Sequence, residues 1–240
     1  MKKAELFAAP PAPVRIRVKL DHHLYPGLET LLDHDRQCAH LADEGRLTVC
    51  GSHALRQAMR EVKNPNLAMH EFQELADRIL AQLAKAAAHA TSEGPRKAAI
   101  AMRAANAFSP FVRRFMPGTP VGFLGLSRDH DTLKAAVAGS DKLGSFHGMH
   151  AVLFDPMLAT GGSMVEMIDS VLDRGATGIT TVSAFSSPQG VLQVAAYDEV
   201  KRIITAPLEA GLTDRGYIVG GHTPYAMLGD FGDRYCGPVE

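Results

Sequence analysis

Ala151-Val-Leu-Phe-Asp155-Pro-Met-Leu-Ala-Thr160-Gly-Gly-Ser163-Met164 is the stretch that decides the fold. Its first four residues form an uninterrupted apolar run, the pattern of a strand buried on both faces in a parallel sheet. The run ends on a carboxylate at Asp155, and a Thr-Gly-Gly-Ser loop then opens into a helix read over 163–172. Glycines there can turn successive N–H groups inward, and the free N–H groups and dipole of a following helix favour an anion. Thr160 and Ser163 add hydroxyls, so a phosphate monoester fits this cradle, with Asp155 nearby to accept hydrogen bonds from sugar hydroxyls. A plain turn followed by a helix N-cap gives the same four residues. The loop lacks the Gly-Lys-Ser/Thr of a nucleoside-triphosphate loop, and no GxGxxG precedes a helix.

Strands and helices alternate on both sides of this segment. Residues 98–101, 121–126, 178–185 and 202–206 read as strands, and 107–115 and 188–200 as helices. Upstream, the pattern turns helical from Ala54, and 70–88 sets Phe72, Leu75, Ile79, Leu80 and Leu83 on one face. A Gly94-Pro95-Arg96 loop ends that region. The alternation predicts an α/β fold with a parallel sheet flanked by helices, whose ligands sit outside the carboxyl ends of the strands. Residues 1 to about 50 differ, with a Pro/Ala-rich opening, an alternating run at 14–18 and a His/Asp-rich stretch at 21–40, and are read as an N-terminal extension.

Composition narrows the partners. The chain has 240 residues, 46% of them hydrophobic, which supports a substantial core. Twenty-five Lys and Arg against 26 Asp and Glu leave a net charge of −1. No global field draws the protein to nucleic acid or an anionic membrane, so a bound anion must be held by local geometry. Cys38, Cys50 and Cys236 match neither a disulfide framework nor a metal knuckle. The expectation is reduced thiols in a cytoplasmic protein with no signal peptide and no membrane span. Eleven histidines show no ligand spacing, and His147 and His150 read as solvated or hydrogen-bonded.

The run Asp155–Ser163, DPMLATGGS, resembles the PRPP-binding signature of uracil phosphoribosyltransferases, a family of type I phosphoribosyltransferases. It has company. Ile204-Thr-Ala206, Gly216-Tyr-Ile-Val219 and Gly229-Asp-Phe-Gly-Asp-Arg-Tyr235 resemble that family's carboxyl-terminal base-site segment. Gly125–Asp129 with Thr132-Leu133, Arg103-Ala104 and Ser187-Pro-Gln-Gly190 resemble three further family elements. The resemblance spans about residues 54–238. It implies a phosphoribosyltransferase-type parallel sheet flanked by helices over 53–240, with 1–52 as the extension.

By that resemblance, Asp155, Pro156, Met157, Leu158, Ala159, Thr160, Gly161, Gly162 and Ser163 form the PRPP site. The backbone of 159–163 holds the 5′-phosphate and Asp155 the ribose hydroxyls. Arg103 and Arg128 contact the diphosphate, as a multi-donor guanidinium suits oxyanions. Asp230 is the catalytic carboxylate, beside both diphosphate and base, and Ile218, Gly229, Asp230 and Phe231 form the base site, Ile218, Gly229 and Phe231 through main-chain groups. No metal is held directly; Mg2+ enters with PRPP. A homo-oligomer, dimer or tetramer, is implied too. The implied reaction joins ribose 5-phosphate to uracil or a related heterocyclic base, making UMP in pyrimidine salvage if the base is uracil.

Four departures from the family pattern leave alternatives open. His222–Met227 is inserted in the base-recognition loop; Ala105 replaces a glycine; the loop over 134–143 lacks tyrosines; and a hairpin is reduced to residues 92–96. The same chemistry on a non-uracil base, or a non-catalytic PRPP- or nucleotide-sensing regulator, fits these departures as well. An RNA-binding regulator calls for a basic face, which the balanced charge does not favour.

Overall fold

The computed structural model describes residues 28–128, 135–213, 216–219 and 228–238, with side chains from 33 to 126 and again from 139 onward in those segments. In chain order the elements are α1 (Leu28–Asp43), β1 (Leu47–Val49), α2 (His53–Glu61), α3 (Met69–Ala90), β2 (Arg96–Met102), a 3-10 turn at Ala104–Phe108, α4 (Ser109–Phe115), β3 (Val121–Arg128) and β4 (Ala135–Lys142). Then follow β5 (His150–Phe154), β6 (Met157–Leu158), α5 (Gly162–Leu172), β7 (Gly178–Ser183), β8 (Phe185–Ser186) and α6 (Pro188–Ala195). The chain ends with β9 (Val200–Thr205), β10 (Gly211–Leu212), β11 (Ile218–Val219) and α7 (Phe231–Cys236).

Seven strands form one sheet in the order β1-β9-β7-β5-β2-β3-β4. All adjacent pairs are parallel except β3 with β4. The expected α/β sheet is therefore present, with one antiparallel edge. That edge corrects the loop reading of 134–143: residues 135–142 are a strand that exists through its pairing with β3. The central strands β5 and β7 are buried almost throughout, so both faces are covered. Helix α3 packs on β7 and β9, and α5 on β2, β3 and β5. The buried stripe of α3 (Phe72, Ala76, Ile79, Leu80, Leu83, Ala84 and Ala87) recurs at three- and four-residue steps, as the sequence periodicity demands.

Helix boundaries differ from the sequence expectation at two places. The helix read over 107–115 begins as a 3-10 turn and becomes α-helical at Ser109, where Pro110 fits the first turn. The helix read to residue 200 ends at Ala195, where Arg46 donates to the Ala195 carbonyl at 2.8 Å and to Tyr197 and Val200 carbonyls beyond. Those bonds also fasten the described part of the extension. Helix α1 packs on α6 with Cys38 and Leu41 buried, and β1 pairs with β9 as the edge strand. The run at 14–18 lies outside the described residues. Burial pushes the thiols of Cys38 and Cys50 up to about 11, so neither is a thiolate at neutral pH.

Candidate active site

The parallel strands share one direction, so β2, β5, β7 and β9 deliver Met102, Phe154, Ser183 and Thr205 to a common carboxyl edge. Asp155 leaves that edge directly after β5. Its N–H donates to the Val182 carbonyl at 3.2 Å, and its Oδ1 accepts from the Met157 N–H at 3.2 Å, an Asx-type turn. Met157 and Leu158 then form a two-residue parallel pairing with Phe185 and Ser186. Pro156 and Leu158 are buried; the Pro156 carbonyl accepts from Ala184 and Phe185, and Leu158 O from Ser187. These residues build the wall of the loop and leave its mouth to residues 159–163.

A single buried hydroxyl fixes that mouth from behind. Ser187 Oγ donates to the Ala159 carbonyl at 2.6 Å and accepts from the Gly190 N–H at 2.9 Å, capping α6 in the same stroke. Gly190 is the point of closest approach. A Cβ there would lie 2.4 Å from Ala159 O and 2.6 Å from Leu158 O, so no side chain fits between α6 and the loop.

Gly161 then turns the chain with φ +91°, a left-handed conformation open to glycine and strained for other residues. It is the N-cap of α5, and no side chain caps that helix. Thr160 Oγ1 reaches the Gly162 N–H only at 3.5 Å, at the limit of a hydrogen bond. By contrast α2 is capped by Ser52 and α6 by Ser187. The first turn of α5 thus keeps N–H groups and the positive dipole end available to an anion, while Thr160, Gly162 and Ser163 are partly exposed.

The second half of the site comes from the chain's end. Asp230 caps α7, its Oδ1 accepting from Asp233 N–H at 2.8 Å. Arg103, on leaving β2, reaches Asp233 Oδ1 at 2.6 Å and the Gly237 carbonyl at 3.0 Å. A Cβ on Gly232 would meet both Asp230 Oδ1 and Arg103 Nη2, which shows how closely these groups gather. The Arg103 and Asp233 side chains are 39% and 50% exposed, so their pair is worth about 0–1 kcal/mol and yields readily to a stronger anion. Phe231 contacts Phe185 with ring centroids 6.2 Å apart, and Phe185 pairs with Met157; this brings the α7 segment alongside the loop after β5.

Of the residues expected at the base site, Ile218 and Phe231 bury their side chains, which leaves their main chains to face a ligand there. Gly229 has φ +80° and lies immediately before Asp230. Arg128 ends β3, but its side chain, like His222–Met227, lies outside what is described. Ser187 and Gly190 entered the sequence reading only as part of a turn resembling a family element, without a role. The signal that could have found them is the pairing of an N-cap serine with a glycine three residues later in a short helix facing the loop. Among the described residues no cluster of His, Cys, Asp and Glu could hold a metal ion, and no helix is long and apolar enough to cross a membrane.

Comparison with known proteins adds to this geometry. The family model described as uracil phosphoribosyltransferase matches residues 52–237. A uracil phosphoribosyltransferase of Shouchella clausii is 31% identical over 212 residues, covering 80% of this chain and 99% of the relative. One from Beutenbergia cavernae is 40% identical over 129 residues, 52% of this chain; the chain spans 58% of that relative's length. A solved protein from Aquifex aeolicus superposes with TM-score 0.68 at 20% identity, covering 80% of this chain and 98% of that one, which is a likeness of fold.

Proposed function

The chain belongs to the uracil phosphoribosyltransferase family, and from that premise we propose that it transfers ribose 5-phosphate from PRPP to uracil, releasing diphosphate and forming UMP for pyrimidine salvage. The observation that carries this reading is the uncapped, glycine-turned N-terminus of α5 directly after a carboxylate at the sheet's carboxyl edge. The 5′-phosphate sits on the N–H groups of 159–163, and Asp155 accepts from the ribose hydroxyls. Arg103 exchanges Asp233 for the diphosphate, with Arg128 as a second cation. The C1–O bond to diphosphate breaks as a ring nitrogen of the base forms the new C1–N bond and loses its proton. The chain's contribution is positioning and stabilisation of charge on the leaving group, with Asp230 beside both partners.

Hard carboxylate oxygens at Asp155 and Asp230 fit a hard divalent cation arriving with the substrate. When bound, Mg2+ supplies neutralising charge to the diphosphate. The catalytic unit is 53–240 with 1–52 as an extension whose described part buttresses α6. The three free cysteines suit a reducing cytoplasm, and the active form is a homo-oligomer, dimer or tetramer.

Diphosphate release with PRPP, Mg2+ and a panel of bases tests the reaction. Uracil is expected to support turnover; turnover with another heterocycle only, uracil being inert, moves the substrate to the class that the His222–Met227 insertion admits. No turnover with any base overturns the catalytic reading. Asp155→Asn keeps the loop's turn but loses a charge-assisted hydrogen bond worth about 1.5 kcal/mol, so kcat/KM for PRPP is expected to fall about tenfold. An unchanged value removes Asp155 from the ribose.

A further inference from the structure

The run Gly229–Tyr235 reads as one substrate-facing block, yet its side chains divide between two sides. Asp230 and Asp233 gather with Arg103. Arg234 turns the other way. Its Nη1 donates to the Val62 carbonyl at 3.0 Å and to the Leu228 carbonyl at 2.9 Å, and its Nη2 to Asn64 O at 2.7 Å. The guanidinium carbon lies 4.2 Å from the centroid of the buried Phe72 ring. Burial lowers the Arg234 pKa, but an arginine remains charged.

These bonds join three pieces of chain. Val62 is the C-cap of α2, so the guanidinium satisfies a terminal helix carbonyl at the negative dipole end. Asn64 belongs to the α2–α3 connection. Leu228 is buried and immediately precedes Gly229. Next to Arg234, Tyr235 donates from its hydroxyl to Asp77 at 2.6 Å and accepts at its carbonyl from Gln73 at 2.7 Å, both on α3. Helix α7 is therefore bolted to α3, and among the described residues the Arg234 side chain ties the Leu228 carbonyl just before it.

We propose that Arg234 is a positioning residue for the base: by clamping the Leu228 carbonyl to the α2 terminus and the α2–α3 connection, it fixes where the Gly229–Phe231 backbone presents its hydrogen-bonding groups. The proposal rests on the base-reading role given to that backbone. A rigid planar fork reaches the three carbonyls of these three pieces of chain at once, whereas a lysine ammonium, a compact point charge on a flexible stem, cannot hold the same geometry.

Arg234→Lys and Arg234→Met test it by steady-state kinetics and by amide hydrogen exchange, with circular dichroism reporting the fold. In Arg234→Met, KM for the base is expected to rise about tenfold or more with KM for PRPP within about twofold, and Arg234→Lys to fall between. Amide exchange at 229–231 is expected to speed by about tenfold or more, that of β5 remaining unchanged. A merely structural role changes both KM values together or neither, and unchanged exchange at 229–231 overturns the clamp itself. Should the unaltered protein turn over no base, the proposed reaction falls, and the exchange comparison still decides whether Arg234 fixes the loop.

Discussion

Gly190→Ala is expected to cost up to about a hundredfold in PRPP affinity while α6 remains helical. The glycine sits in ordinary helix, so its φ is not the issue. The added Cβ would stand 2.4 Å from the Ala159 carbonyl and 2.6 Å from that of Leu158, both backbone atoms. Neither can step aside alone: Leu158 is tied into the pairing with Ser186, and Ala159 O to Ser187 Oγ. Relief requires α6 and the loop to part. Overpacking of this kind costs up to about 3 kcal/mol, about two powers of ten in an equilibrium constant, and here the cost falls on the N–H groups of 159–163. Calorimetric titration with PRPP and Mg2+ provides the check. Affinity within threefold of the unaltered protein would mean that the loop's position does not matter to binding.

Lys63→Met acts on stability by a different route. Lys63 and Glu209 form an ion pair 2.6 Å apart, both nearly buried, joining the end of α2 to the loop after β9. That loop lies against the site's support, since Glu209 N–H donates to the Ser186 carbonyl at 2.9 Å. Replacing the ammonium by an apolar side chain takes the close countercharge away from a nearly buried carboxylate and costs about 3–5 kcal/mol, far more than the pair's net worth. Urea unfolding at neutral pH is expected to show that loss, and Glu209→Gln added to Lys63→Met to recover more than half of it by removing the buried charge. A Lys63→Met protein as stable as the original, or no recovery in the double variant, contradicts this account of the pair.

Much of this architecture was legible because particular residues carry strong local signals. The apolar run before Asp155 and the glycines after Thr160 read as strand, turn and helix opening, and β5 and α5 lie there. The buried stripe of α3 was equally clear. Helix α1 escaped notice because, of its described side chains, only Cys38 and Leu41 are buried, too few for a period to show in a His/Asp-rich stretch. Strand β4, Ala-Ala-Val-Ala-Gly-Ser-Asp-Lys, has little strand propensity; its pairing with β3, irregular between Leu124 and Leu126, is a long-range fact. In the site, the backbone features could be read from Asp155–Ser163. What no spacing revealed was contact between distant segments: Gly190 under the loop, Asp233 on Arg103, and Arg234 turned toward Val62 and Asn64 while Asp230 and Asp233 gather with Arg103.

The most direct test of the central claim is a crystal structure with PRPP and Mg2+ bound. The 5′-phosphate is expected on the N–H groups of residues 159–163 at the start of α5, with the ribose hydroxyls on Asp155 and Arg103 released from Asp233 to the diphosphate. A PRPP molecule seated elsewhere, with the Thr160–Ser163 turn empty and Arg103 still on Asp233, would contradict it.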